Sequence, residues 1–144
     1  MVNKADNATR HDIREAVFLI LYQMEISGST AAEIIADNEE EFELLVHPDM
    51  EKTANEVFSK REELDERIAK HSPKRVVNRI AKINLIIMRI AVYEMLYDSR
   101  VPEKVAINEA IELAKKYSGE KDSAFINGVL DAVLADISAG GTGE

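Results

Sequence analysis

Apolar residues recur three and four positions apart along nearly the whole chain, the spacing that stacks side chains on one face of an α-helix. From Thr9 to Met24 the inward set is Ile13, Ala16, Val17, Ile20, Leu21 and Met24, and Ser27-Gly28-Ser29 ends the run. Thr30 stands where it can cap a shorter helix through Ala36, followed by a solvent-facing acidic stretch, Asp37–Glu43. Pro48 opens a longer helix with Ala54, Val57, Phe58, Leu64 and Ile68 inward and Lys60, Arg61, Glu62 and Glu63 outward.

Ser72-Pro73 reads as a helix start, a hydroxyl cap followed by proline where its missing N–H costs nothing. In the helix it begins, Val76, Val77 and Ile80 face one way. Lys74, Arg75, Asn78, Arg79 and Lys82 share the opposite arc, about 140° wide at 100° per residue. The next segment, Ile83–Leu96, is apolar almost all round and reads as a central helix. Val101-Pro102 starts another, carrying Val105, Ala106, Ala110, Ile111, Leu113 and Ala114 and stopping at Tyr117-Ser118-Gly119. A final helix over Ser123–Ile137 buries Phe125, Ile126, Val129, Leu130, Val133 and Leu134, and the Gly-rich tail, residues 138–144, frays and reads as a natural terminus. No strand-and-turn alternation competes with this pattern. It predicts an all-α fold, a compact bundle of six to seven helices joined by short loops, within one domain over residues 1–144.

Composition narrows the function classes. Hydrophobic residues make up 46% of the chain, enough for a real core and too many for a disordered segment. The longest apolar runs, Ala16–Tyr22 and Leu85–Tyr97, are too short or too interrupted for a bilayer, and Met1–Asp12 is too polar for a signal peptide, so a cytoplasmic protein with no membrane role is expected. Cysteine is absent, which excludes disulfides and thiolate chemistry. His11, His47 and His71 fall in separate elements without ligand spacing, and no metal site is expected. No serine sits in a strained elbow motif, no glycine-rich phosphate loop occurs, and the paired carboxylates belong to solvated helix faces. No cofactor and no enzymatic activity follow from these residues.

The net charge of −9 disfavours a general nucleic-acid binder, yet it is unevenly distributed. Glu33–Glu66 holds thirteen acidic residues against three basic ones, whereas Arg67–Arg89 holds seven basic residues and no acidic one. Four features stand above this background. Arg10 and Arg14 lie one helical turn apart at what should be the exposed start of the first helix, where they fit either a phosphate run or a surface pair balanced by Asp12 and Glu15. The Lys74–Lys82 stripe fits a phosphate backbone or a solvated face equally well. Arg89 and Glu94 are charges inside the apolar central helix; a salt bridge from Arg89 to Glu109 or Glu112 answers for the first, and Glu94 suits a protein interface. Phe125 follows a polar loop with Lys121, as a base-stacking aromatic beside a basic residue would, or it is simply core.

Ile87-Met88-Arg89-Ile90-Ala91-Val92-Tyr93-Glu94 resembles the "LR-A-YE" signature of the NusB family. The segment from Val101-Pro102-Glu103-Lys104-Val105-Ala106-Ile107-Asn108-Glu109 to Lys115 resembles its "VP-KVAINEAIELAK" helix, and Phe125-Ile126-Asn127-Gly128-Val129-Leu130-Asp131 its "FVNGVLD" motif. Arg14-Glu15-Ala16 with Leu21-Tyr22 resembles the family's first helix. The resemblance implies an all-α fold of two helical subdomains that binds RNA and catalyses nothing. The implied target is a boxA-type element in ribosomal RNA leader transcripts, bound with the ribosomal protein NusE inside an RNA polymerase antitermination complex. It makes Arg10, Arg14, Lys121 and Phe125 candidate RNA-binding residues and places Tyr93, Glu94 and Tyr97 in the partner-facing region. Asn108, Glu109 and Asn127 read better as helix caps or core hydrogen bonds.

This chain departs from the family pattern where His11 and Asp12 stand between the two N-terminal arginines. The thinner patch predicts weak RNA binding alone and a greater need for the partner, with Lys74, Arg75 and Arg79 supplying part of the missing charge. A homodimer is compatible with the resemblance. Two other readings compete: the NusB-like RNA-binding domain of a ribosomal RNA cytosine methyltransferase, and a helical module that binds protein only.

Overall fold

The computed structural model describes residues 9–38, 48–72 and 80–140, and every described element is helical. The chain divides into two compact units, residues 1–59 and 60–144. Most of the acidic stretch after Asn38, the segment carrying Lys74, Arg75 and Arg79, and the last four residues of the tail lie outside the described residues.

The first unit contains α1 (Arg10–Ser27), α2 (Ala31–Asp37) and α3 (Pro48–Ser59), which pack on one another. Both N-termini of the α1–α2 pair close with a capping box. The Thr9 hydroxyl accepts from Asp12 N at 3.1 Å while the Asp12 carboxylate accepts from Thr9 N, and Thr30 with Glu33 repeats the arrangement. The reciprocal bonds to Thr30 hold the Glu33 carboxyl below its ordinary range. α1 stops because Gly28 takes a left-handed conformation, φ 75°, and returns its N–H to Met24 O at 2.9 Å. Its buried stripe is wider than the spacing alone implies, adding Arg14 and Phe18 to Ala16, Val17, Ile20, Leu21 and Met24.

The single long helix expected after Pro48 is two helices. α3 ends at Ser59, and α4 (Arg61–Lys70) begins after Lys60, whose φ of −100° and ψ of 8° leave the helical region. Ser59 donates its hydroxyl to Glu56 O at 2.9 Å, competing for the carbonyl that an unbroken helix would offer to the Lys60 N–H. This break is also the boundary between the two units.

In the second unit α4 is followed by α5 (Lys82–Tyr97), α6 (Glu103–Tyr117) and α7 (Glu120–Ser138). α5 is the central element, buried at every position from Asn84 to Met95 and packed against the other three. α6 contributes Ala106, Ile107, Ala110, Leu113 and Ala114 to this core, and α7 contributes Ile126, Val129, Leu130 and Val133. Asp136 of α7 meets Arg67 Nη1 at 3.9 Å and His71 Nε2 at 3.6 Å, tying it to α4. The Ser72 hydroxyl donates back to Ile68 O at 3.0 Å. Asn108 and Asn127 are exposed within α6 and α7, neither caps nor core, because they fall between the apolar positions that turn inward.

Candidate nucleic-acid interface

At the start of α1 the capping box fixes the first turn and leaves Arg10 and His11 exposed. Arg14 is different: it is only 5% exposed. Three and four residues before Val17 and Phe18, it extends their buried stripe by one turn. The expected exposed pair of arginines is therefore corrected: Arg10 faces solvent, and Arg14 belongs to the buried side of the same helix.

In the second unit Lys121 is exposed and Phe125 half-buried, four residues apart and so on one face of the first turns of α7. What sets the start of that helix is Asn84, which the apolar pattern passes over. Its side chain is 1% exposed. Its Nδ2 donates to Asp122 Oδ1 at 2.9 Å, and its Oδ1 accepts from the Ser118 hydroxyl at 2.8 Å. One amide of α5 thus holds both sides of the α6–α7 turn. Between them Gly119 adopts φ 145°, which favours glycine, and Ser118 N and Gly119 N both donate to Ala114 O at 2.8 Å. Ser123 closes the other side, N to Gly119 O at 2.9 Å and hydroxyl to Glu120 O at 2.8 Å. The signal for Asn84 was present in the sequence as an amide in an otherwise apolar helix; its partners, 34 and 38 residues away, were not.

The charges of α5 resolve differently from the sequence reading. Arg89 bonds Asp65 of α4, Nε to Oδ1 at 2.7 Å and Nη2 to Oδ2 at 2.8 Å, so the carboxylate that takes both guanidinium nitrogens is not Glu109 or Glu112. Of the residues expected to face a partner, Tyr93 and Glu94 are buried and Tyr97 is 46% exposed. Tyr97 is held from three sides. Its hydroxyl donates to Glu63, Lys60 Nζ lies 4.7 Å from its ring centroid, and the Tyr93 ring is 5.6 Å away. The bond to Glu63, then burial, raises the phenol above its ordinary range. Beside it opens a recess of about 430 Å³ with Met95, Leu96, Val101 and Pro102 in its wall. No group of residues suited to a metal ion occurs among the described residues, and none of their helices is long and apolar enough to cross a membrane.

The family model described as the NusB family matches residues 11–135. A protein of Acetivibrio thermocellus named transcription antitermination protein NusB is 41% identical over 128 residues, covering 87% of this chain and 88% of its own length. Among solved structures, T. maritima NusB is similar at a TM-score of 0.78 and 27% identity, covering 90% of this chain and 92% of that one. A chain in the crystal structure of antitermination factors NusB and NusE in complex with double-stranded RNA has a TM-score of 0.71 and 26% identity, over 88% of this chain and 96% of that one. This chain spans 59% and 64% of the length of two of the curated relatives it matches, and up to 97% of others.

Proposed function

The chain belongs to the NusB family, and from that membership we propose that it is a transcription antitermination factor. It binds boxA-type RNA of ribosomal RNA leader transcripts together with NusE and acts in the cytoplasm as part of an RNA polymerase complex that resists termination. Its contribution is binding, with no catalytic step. The observation that carries this reading is the likeness, over 88% of the chain, to a protein captured with both NusE and RNA.

The groups suited to RNA are the exposed Arg10 in the first unit and, in the second, the exposed Lys121 with the half-buried Phe125. Arg10 supplies a planar cation for a phosphate, and Lys121 a point charge beside a ring face on which a base can stack. Lys74, Arg75 and Arg79 add positive charge, which a chain of net charge −9 needs locally. The partner surface is centred on Tyr97, whose ring is exposed yet held in place against the buried Tyr93, with Glu94 buried on the same helix. Aromatic side chains whose rotamers are already restricted lose little entropy on docking.

The test is a titration of labelled boxA-type RNA with the protein alone and with NusE, at two salt concentrations. Binding that tightens with NusE, weakens with salt and prefers boxA over scrambled RNA is expected. Equal affinity for boxA and scrambled RNA in the presence of NusE would overturn the reading.

A further inference from the structure

We infer that Asn84 is a positioning residue for RNA binding: through Ser118 and Asp122 it sets the α6–α7 turn from which Lys121 and Phe125 are presented. The inference rests on the proposed RNA-binding role of those two residues.

Three observations converge on it. Asn84 is buried in the first turn of α5, where an amide has no helical role that alanine would not fill better. Both of its functional atoms are committed to one turn, the carbonyl oxygen to the residue before Gly119 and the amide nitrogen to the residue after Lys121. Gly119 itself, at φ 145°, imposes no single conformation on its own, since glycine has the widest choice of backbone angles. The side-chain clamp selects one together with the backbone bonds to Ala114 O and from Ser123 N.

The clamp has a second consequence. Lys121 is flanked by the exposed carboxylate of Glu120 and by that of Asp122; left to solvent as well, Asp122 would add to the repulsion of a phosphate in the place where Lys121 should attract one. Its Oδ1 instead accepts from the buried Asn84 amide, which turns the acidic group toward the core and leaves Lys121 exposed. Asn84 therefore acts on RNA affinity twice, through geometry and through the field, without touching RNA.

The polarity of the bond offers a test, and removal of Lys121 and Phe125 separates positioning from a merely structural role. Asn84→Asp places two carboxylates against each other and opens the clamp. Asn84→Asp with Asp122→Asn restores the hydrogen bond with donor and acceptor exchanged, and the Ser118 hydroxyl still finds an oxygen. Using the full chain with NusE and labelled boxA-type RNA, the single variant is expected to bind about tenfold more weakly, the change that accompanies loss of one charge-assisted bond, and the double variant to recover most of that loss. In a Lys121→Ala/Phe125→Ala background Asn84→Asp should cost no further affinity, while it still lowers the melting temperature. Ser118→Ala, an exposed change that leaves one bond of the clamp intact, should weaken RNA binding by a smaller factor with the fold retained. If Lys121→Ala/Phe125→Ala binds as the parent does, the assigned RNA site is wrong and the inference falls with it. If that variant loses affinity but Asn84→Asp does not, or if the exchanged pair fails to recover, the site stands and Asn84 does not position it.

Discussion

Arg89 of α5 and Asp65 of α4 meet in a two-pronged ion pair, at 2.7 Å and 2.8 Å, with the arginine 7% exposed. A guanidinium and a carboxylate match in this geometry because both are planar forks, and the match offsets the cost of bringing the charges out of water. Asp65→Ala removes the two-pronged bond while leaving the guanidinium inside. It is expected to cost about 3 kcal/mol, and the double change Asp65→Leu/Arg89→Met much less than the single one. Urea denaturation of the two variants checks this; a double variant as unstable as the single one would show that the pair is not the source of the loss.

Arg10 and Arg14 should separate in experiment as they do in exposure. Arg10→Ala is expected to weaken RNA binding and to lower the dependence of log affinity on log salt by about one unit, the signature of one lost phosphate contact. Arg14→Ala is expected to act mainly on stability, since its side chain lies on the buried stripe of α1. Paired melting curves and RNA titrations read both effects, and an Arg14→Ala protein with unchanged melting but lost RNA affinity would reverse the assignment.

Tyr97 carries a pH dependence whose sign follows from its bond to Glu63. The folded state holds the phenolic proton more tightly than the unfolded chain, so this contribution to stability is intact below the ordinary tyrosine range. It is lost progressively as pH rises above that range toward the raised folded value. Ultraviolet titration of the parent against Tyr97→Phe isolates the group, and Glu63→Gln should return its titration toward the ordinary value. An unmoved midpoint in Glu63→Gln would rule out the Glu63 carboxylate as the cause.

Arg75 and Arg79 supply positive charge to an otherwise acidic protein, and reversing both to glutamate should weaken boxA-type RNA binding and flatten its salt dependence. The expected loss is on the order of tenfold or more at low salt, fading as salt rises. Unchanged affinity and slope would leave the stripe a solvated face.

Much of this protein was legible from its residue pattern because helices announce themselves locally. The three-and-four spacing marks the segments of all seven described helices, except that it runs on without a break from Pro48 to Lys70, where the structure has two. Thr9, Thr30 and Gly28 marked termini because capping depends on residues within one turn. The "LR-A-YE" and "FVNGVLD" runs pointed to the family in the same way, as contiguous strings. What only the tertiary structure decided were relations between residues far apart in the chain. Arg89 needed a carboxylate, and the sequence offers 27 acidic residues; packing of α4 on α5 selected Asp65. Arg14 has the chemistry of a surface residue, and the width of the buried stripe on α1 took it inside. Asn84 looked like an interruption in an apolar helix until the α6–α7 turn closed on it. Local order follows from backbone hydrogen bonds a few residues long, whereas a buried polar group finds its partner only when the helices have packed and left it no water to bond instead.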